Sequence, residues 1–279
     1  MSTMETNSFW CPFYTEDELS VELFALRVGK VEAGADLLVV INHALEAEGL
    51  QLEEGDVLAL ASKVVSYSQK RLAKLSDIKP SVKAKKLAKK YLLKSELAEL
   101  VLREADHIYG GVDRAVLTLK DGMLVPNAGV DVKNAPEGFA VLWPAGLKEW
   151  ISEFREKVKR RTGKRMGVLV VDSGLVPLRV GTSGLALACA GFKPTRDHRS
   201  EKDLFGRPIV MTRHNVADDL AGAAHLLMGE STEKTPVVLV KHAPVELDDD
   251  VYVGADMMMP MDECLFMGTF QRHRDHGRA

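Results

Sequence analysis

AVLTLKDGMLVPNAGVDVKN, Ala115 to Asn134, holds the clearest turn signal of the chain: Asp121-Gly122 stands between two apolar stretches. An Asp-Gly pair in that setting predicts a β-hairpin closed by a primed turn, whose two central residues take positive φ. The second strand then ends near Pro126, and Asn127 to Asn134 follow as a loop rich in side-chain acceptors. A hairpin here favours an α+β or irregular α/β architecture over a regular doubly wound sheet, in which strands alternate with helices.

Working outward, Val21 to Val28 reads as a strand and Ala35 to Glu48 as an amphipathic helix stopped at Gly49. DVLALA, Asp56 to Ala61, is apolar without alternation, the pattern of a strand covered on both faces, and it leads into SKVVSYSQKR. Lys79 to Tyr109 reads as one long or two short helices with Ser81 as a possible N-cap. Its Lys83, Lys85, Lys86, Lys89, Lys90 and Lys94 form either an anion-binding patch or a solvated face.

Phe139 to Trp143 is expected as a strand, Leu147 to Arg161 as a helix with basic last turns, and Met166 to Val171 as a buried strand with Asp172 at its tip. A charged excursion, RDHRSEKDLFGRP, precedes a candidate strand over Pro208 to Thr212. Asn215 to Met228 is an amphipathic helix, with Asp218 and Asp219 at its positive start and Gly229 as its stop, and Pro236 to Lys241 is read as the final strand.

Composition bounds the function. The 279 residues are 46% apolar and carry a formal charge of −3, so no overall basicity points to nucleic acid or to a membrane surface. Cys11, Cys189 and Cys264 are few and far apart, which argues against a disulfide framework and makes a reducing cytoplasm the expectation. Neither an export signal nor a run of eighteen apolar residues is present, so a membrane span is not expected.

Three acids stand at element ends: Asp131, Asp172 and Glu230, with Ser173 beside the second. Such oxygen donors suit Mg²⁺ or Mn²⁺, ions that commonly bridge carboxylates to nucleotide phosphates, although each acid alone also reads as a loop hydrogen-bonder or helix cap. Backbone donors for phosphate could come from Val28-Gly29-Lys30-Val31, from Gly181 to Gly184 and from the Gly229 loop with Lys234, or these glycines are simply turns. Neither a Walker motif nor GxGxxG after a strand is present, and HExxH, GxSxG and EF-hand loops are missing too. His273 and His276 fall in a tail expected to be mobile. By elimination the chemistry suggested is electrostatic and metal-assisted.

GDVLALASKVVSYSQKR, NAGVDVKNAPEG, the long stretch from Thr162 to Glu230 and TPVVLVK together resemble the coenzyme F420-0:γ-glutamyl ligase family, from about Val21 to Lys241. The resemblance implies an α+β fold of mixed sheets and helices, in two intimately joined parts around a cleft. It implies a polar leader over residues 1–16, a ligase-like domain over 17–245 with a soft internal division near Lys164, and a C-terminal extension over 246–279. The implied reaction adds L-glutamate to a deazaflavin precursor with GTP, through an acyl phosphate, using Mg²⁺ or Mn²⁺ and K⁺, in a cytoplasmic homodimer. A non-catalytic nucleotide or deazaflavin binder, or an amide-forming ligase with another acceptor, is the alternative.

Carried over by position, Asp131, Asp172, Ser173 and Glu230 match the family's metal ligands, and Asn134 a nucleotide contact. Leu227-Met228-Gly229-Glu230 continuing to Lys234 matches a nucleotide-binding loop, and Ser62 with Lys63 another contact. Val28-Gly29-Lys30-Val31 stands where the family commonly has Leu-Pro-hydrophobic-Ile, and Tyr67 where it has a Lys. The strand end reads D-S-G-L-V-P-L-R-V-G here, keeping Arg179 as a candidate phosphate contact and Gly181, but losing the family's Gly-Arg pair.

Overall fold

A computed structural model describes residues 20–269. The elements run β1 (Glu22–Leu26), α1 (Leu37–Ala47), β2 (Val57–Ala61), α2 (Ser62–Ser68), β3 (Leu72–Lys74), α3 (Val82–Tyr91), α4 (Ser95–Glu104), β4 (His107–Val112), β5 (Ala115–Lys120) and β6 (Met123–Pro126). They continue with β7 (Phe139–Val141), α5 (Leu147–Thr162), β8 (Gly167–Leu175), β9 (Thr182–Phe192), β10 (Thr195–Asp197), β11 (Arg213–Asn215), α6 (Val216–Met228), β12 (Val237–Lys241) and β13 (Leu247–Val253). The polar leader over residues 1–16 and the tail histidines His273 and His276 lie outside the described residues.

The main sheet has the order β1-β12-β2-β8-β9-β13, antiparallel throughout except where β2 runs parallel to β8. The unbroken apolar runs follow from burial on both faces. In β2, Leu58 and Leu60 join the core beneath α1 and α5, while Val57 and Ala59 join the core beneath α6. β8 and β12 divide in the same way, Val168 and Leu239 to one side, Leu169 and Val238 to the other.

A second body packs beside this sheet. The Asp121-Gly122 turn closes the β5–β6 hairpin, with φ of 50° and 82°, as its primed-turn chemistry requires. With β4 it forms a three-stranded sheet, and α3 and α4 pack with it around Tyr91, Leu100, Val101 and Val116. Ser81 caps α3 by accepting from the Ala84 N–H. The lysines of α3 are exposed and none lines the cleft described below. The architecture is mixed α+β, as expected.

Four local readings need correction. The helical region ends at Glu104, and Tyr109 lies in β4, a strand the sequence pattern does not point to, which pairs with β5 of the hairpin. Pro208 to Thr212 is not a strand; Pro208 makes only an isolated bridge to Lys202, and the strand begins at Arg213. Lys241 does not end the last strand, because β13 adds to the sheet edge alongside β9. Most relevant to function, Asp172 is not at a strand tip: β8 continues to Leu175, since Ser173, Gly174 and Leu175 pair with Gly184, Ser183 and Thr182.

Candidate functional site

The position of Asp172 is set by where its neighbours stop. β2 accompanies β8 only as far as Ala61 opposite Val171, and the chain then turns into α2 at Ser62. A bulge in the β8–β9 ladder between Val170 and Val171 falls just before Asp172, a place where bulges re-aim side chains. Asp172 therefore emerges where the sheet opens, beside Ser62. Burial pushes its carboxyl above the usual range, hydrogen bonds from Ser62 and the Ser173 backbone and the Lys63 charge pull it down, and Asp131 pushes it up again.

Asp131 arrives from the second body. Asn127, Ala128 and Gly129 all take positive φ, of 52°, 51° and 71°. A Cβ on Gly129 would come within 2.1 Å of the Trp143 ring. The turn is held by buried Thr118, whose hydroxyl donates to Val125 O at 2.6 Å and accepts from the Ala128 N–H at 2.8 Å. It delivers Asp131 onto Lys63, whose ammonium donates to Asp131 Oδ2 at 2.6 Å and to Lys133 O at 3.1 Å.

Glu230 follows the end of α6, where Gly229 takes φ of 70°. Its carboxylate accepts from Lys133 Nζ at 2.8 Å and from the Thr182 hydroxyl, and shares a hydrogen bond with His225 Nε2 at 2.9 Å. Partial burial raises its pKa, but the bonds from Lys133, Thr182 and His225 outweigh that and hold it at about 2. Lys133 is in turn held protonated, chiefly by Glu230, with Asp131 and Asp172 adding to the effect.

These groups line a cleft of about 600 Å³, with an adjoining recess of about 180 Å³. Gly29, Lys30, Val31, Ser62, Lys63, Asn134, Asp172, Ser173, Met228, Gly229, Glu230 and Lys234 all face the larger space. Asp131 faces the recess, which also reaches Ser62, Lys63, Asp172 and Ser173. The Val28 N–H donates to Lys234 O at 3.3 Å, which brings the first loop to the last. Tyr67 donates to Asn134 O at 2.8 Å, and Asn134 Nδ2 donates to Ser231 O at 3.1 Å.

Three of the residues singled out in the sequence stand apart from the cleft. Val28 and Leu227 pack against the two cores instead, as apolar side chains flanking buried strands do. Arg179 lies in the exposed loop between β8 and β9 and does not line the cleft. Gly181 to Gly184 is not a phosphate-cradling turn either. Thr182 to Gly184 belong to β9, and Gly184 is a glycine because α6 passes so close that a Cβ would meet Ala221 O at 2.2 Å.

Lys133, His225 and Thr182 are site residues that sequence reasoning missed. Only Lys133 carried a signal, as the cation two residues beyond Asp131 in the acceptor-rich loop. Among the described residues no three His, Cys, Asp or Glu side chains converge closely enough to share an ion. The donor chemistry still suits a hard divalent cation: Asp131 and Asp172 share a recess with the hydroxyls of Ser62 and Ser173, and the carboxylates Asp131 and Glu230 each hold an ammonium group. No helix among the described residues is long and apolar enough to cross a membrane.

Comparison with known proteins adds a family. The sequence profile described as F420-0:Gamma-glutamyl ligase matches residues 25–242. A protein of Methanopyrus kandleri named coenzyme F420:L-glutamate ligase is 37% identical over 220 residues, 78% of this chain and 85% of its own. Its namesake from Methanocaldococcus jannaschii is 33% identical over 252 residues, 90% of this chain and 98% of its own. Another from Archaeoglobus fulgidus is 32% identical over 224 residues, 80% and 88%.

Proposed function

The chain belongs to the F420-0:γ-glutamyl ligase family, and from that premise we propose that it joins L-glutamate in amide linkage to coenzyme F420-0, using GTP, Mg²⁺ or Mn²⁺, and K⁺. The observation that carries this reading is the cleft itself. Five stretches distant in sequence, around Gly29, Lys63, Asn134, Asp172 and Glu230, line one space with acids, lysines and glycine-bearing loops.

In this reaction the γ-phosphoryl group of GTP passes to the acceptor carboxylate, and the amine of glutamate displaces phosphate from the resulting acyl phosphate. One C–N bond forms as the C–O bond to phosphate breaks, and GDP and phosphate leave. Lys63 and Lys133 supply positive charge for the phosphates, and the loops at Gly29 and Gly229 let the backbone approach the nucleotide. Asp131, Asp172, Ser173 and Glu230 would supply ligands to divalent cations, Asp131 and Asp172 from the recess and Glu230 from the larger cleft, and a bound cation would offset charge on the phosphoryl oxygens. Tyr67 and Asn134 fix the opposite wall by their mutual hydrogen bond.

The active species in this reading is a cytoplasmic homodimer. Leu178 and Val180 on the β8–β9 loop, and Leu204, Phe205 and Met211 on the excursion between β10 and β11, expose most of their apolar surface, as residues awaiting a partner copy do.

GTP and Mn²⁺ together are expected to raise the melting temperature more than either alone, and Asp172→Ala to abolish the joint shift. Absence of any nucleotide-dependent stabilisation would contradict the assignment.

A further inference from the structure

Lys133 differs from the other cations of the cleft in that its backbone is held on both sides while its half-exposed side chain spans the cleft to a single carboxylate. Its N–H donates to Asp131 Oδ1 at 2.8 Å and its carbonyl accepts from Lys63 at 3.1 Å. The next residue is pinned by Tyr67 and to Ser231. The side chain, 51% exposed, reaches across the cleft to Glu230, 97 residues away. An ammonium on a flexible stem above a fixed pivot can change partners without moving the loop.

Resting on the nucleotide reading above, we propose that Lys133 is a tethered cation that exchanges partners. In the free protein it holds Glu230. When a divalent cation takes that carboxylate, the ammonium turns to the phosphate oxygens of a nucleoside triphosphate. Charge explains why the exchange is useful. The four lysines of the cleft are matched by four carboxylates, Glu233 joining Asp131, Asp172 and Glu230, so there is no net positive charge to draw in a polyanion. One divalent cation makes the balance positive, and the released ammonium then faces the incoming phosphates. Cation and nucleotide would thus bind synergistically, with Lys133 competing against the first and assisting the second.

Opposite effects on the two ligands are the signature, because a merely structural residue would weaken both. Lys133→Met keeps the chain length and removes the charge; Lys133→Arg keeps the charge. Calorimetry would measure Mn²⁺ binding without nucleotide, then GTP binding in saturating Mn²⁺, with melting temperatures in chelator as the check on folding. For Lys133→Met the Mn²⁺ dissociation constant should fall roughly fivefold and that for GTP should rise by a similar factor, the scale of one partly exposed charge pair. Lys133→Arg should lie nearer the wild type in both. Unchanged constants, or parallel weakening of both ligands, would overturn the inference. If the wild type takes up GTP with Mn²⁺ and only the variants fail to separate, the Lys133 exchange alone falls. If the wild type binds no GTP, the nucleotide reading falls and the exchange with it.

Discussion

Lys63 Nζ lies 2.6 Å from Asp131 Oδ2, joining the first turn of α2 to a loop of the second body 68 residues away. Both side chains are partly exposed, at 26% and 40%, so the pair contributes only about 1 kcal/mol to the fold. Its consequence is positional: Asp131 is held against the recess that Asp172 shares.

Lys63→Met is therefore expected to cost about 1 kcal/mol in urea unfolding, while weakening GTP binding in Mn²⁺ by roughly tenfold through loss of a phosphate partner. Equal small losses in both measurements would mean that Lys63 only braces the loop.

Thr118 governs the same loop from below. It is fully buried, and its hydroxyl serves Val125 O and the Ala128 N–H at once. Thr118→Val preserves shape but strands a buried donor and a buried acceptor, with an expected cost of about 2 to 3 kcal/mol. An unchanged urea midpoint would show that the turn satisfies those groups in another way.

Gly184 tests the packing of α6 on β9. With Ala221 O 2.2 Å from where a Cβ would sit, Gly184→Ala must push two backbones apart, and a loss of about 2 kcal/mol or more is expected. Since Thr182 and Glu230 flank this contact, GTP affinity should fall with stability. A stable variant with normal affinity would contradict the close approach.

Glu230 gives a pH dependence. Its folded value of about 2 lies below the ordinary 4.5, so the stability it adds is present above about pH 4.5 and is lost as pH falls towards 2. The group is 39% exposed, so solvent screening limits the contribution to about 1 kcal/mol. Wild type and Glu230→Gln should differ at pH 6 by roughly that amount and converge in acid. A difference that stays constant across this range would rule out the depressed carboxylate as its source.

Elements with a local signature were legible in the sequence. The Asp121-Gly122 hairpin, the Ser81 cap, the doubly covered β2 and the Gly229 end of α6 each depend on residues within a few positions of one another. β8 beyond Asp172 was not, because Ser173 and Gly174 carry no strand preference and are held extended by pairing with β9. Of the site, the acids and glycine loops could be named from the resemblance. The partners that charge and orient them could not: Lys133 and Thr182 reach Glu230 from 97 and 48 residues away, and His225 reaches it only because α6 ends where it does.

The central claim is tested most directly by mass analysis of products from the purified protein incubated with GTP, Mn²⁺, K⁺, L-glutamate and coenzyme F420-0. The account predicts an acceptor heavier by one glutamyl residue, with one GDP and one phosphate released per amide formed and no product when glutamate is omitted. An unmodified acceptor, or nucleotide cleavage that ignores both glutamate and acceptor, would contradict it.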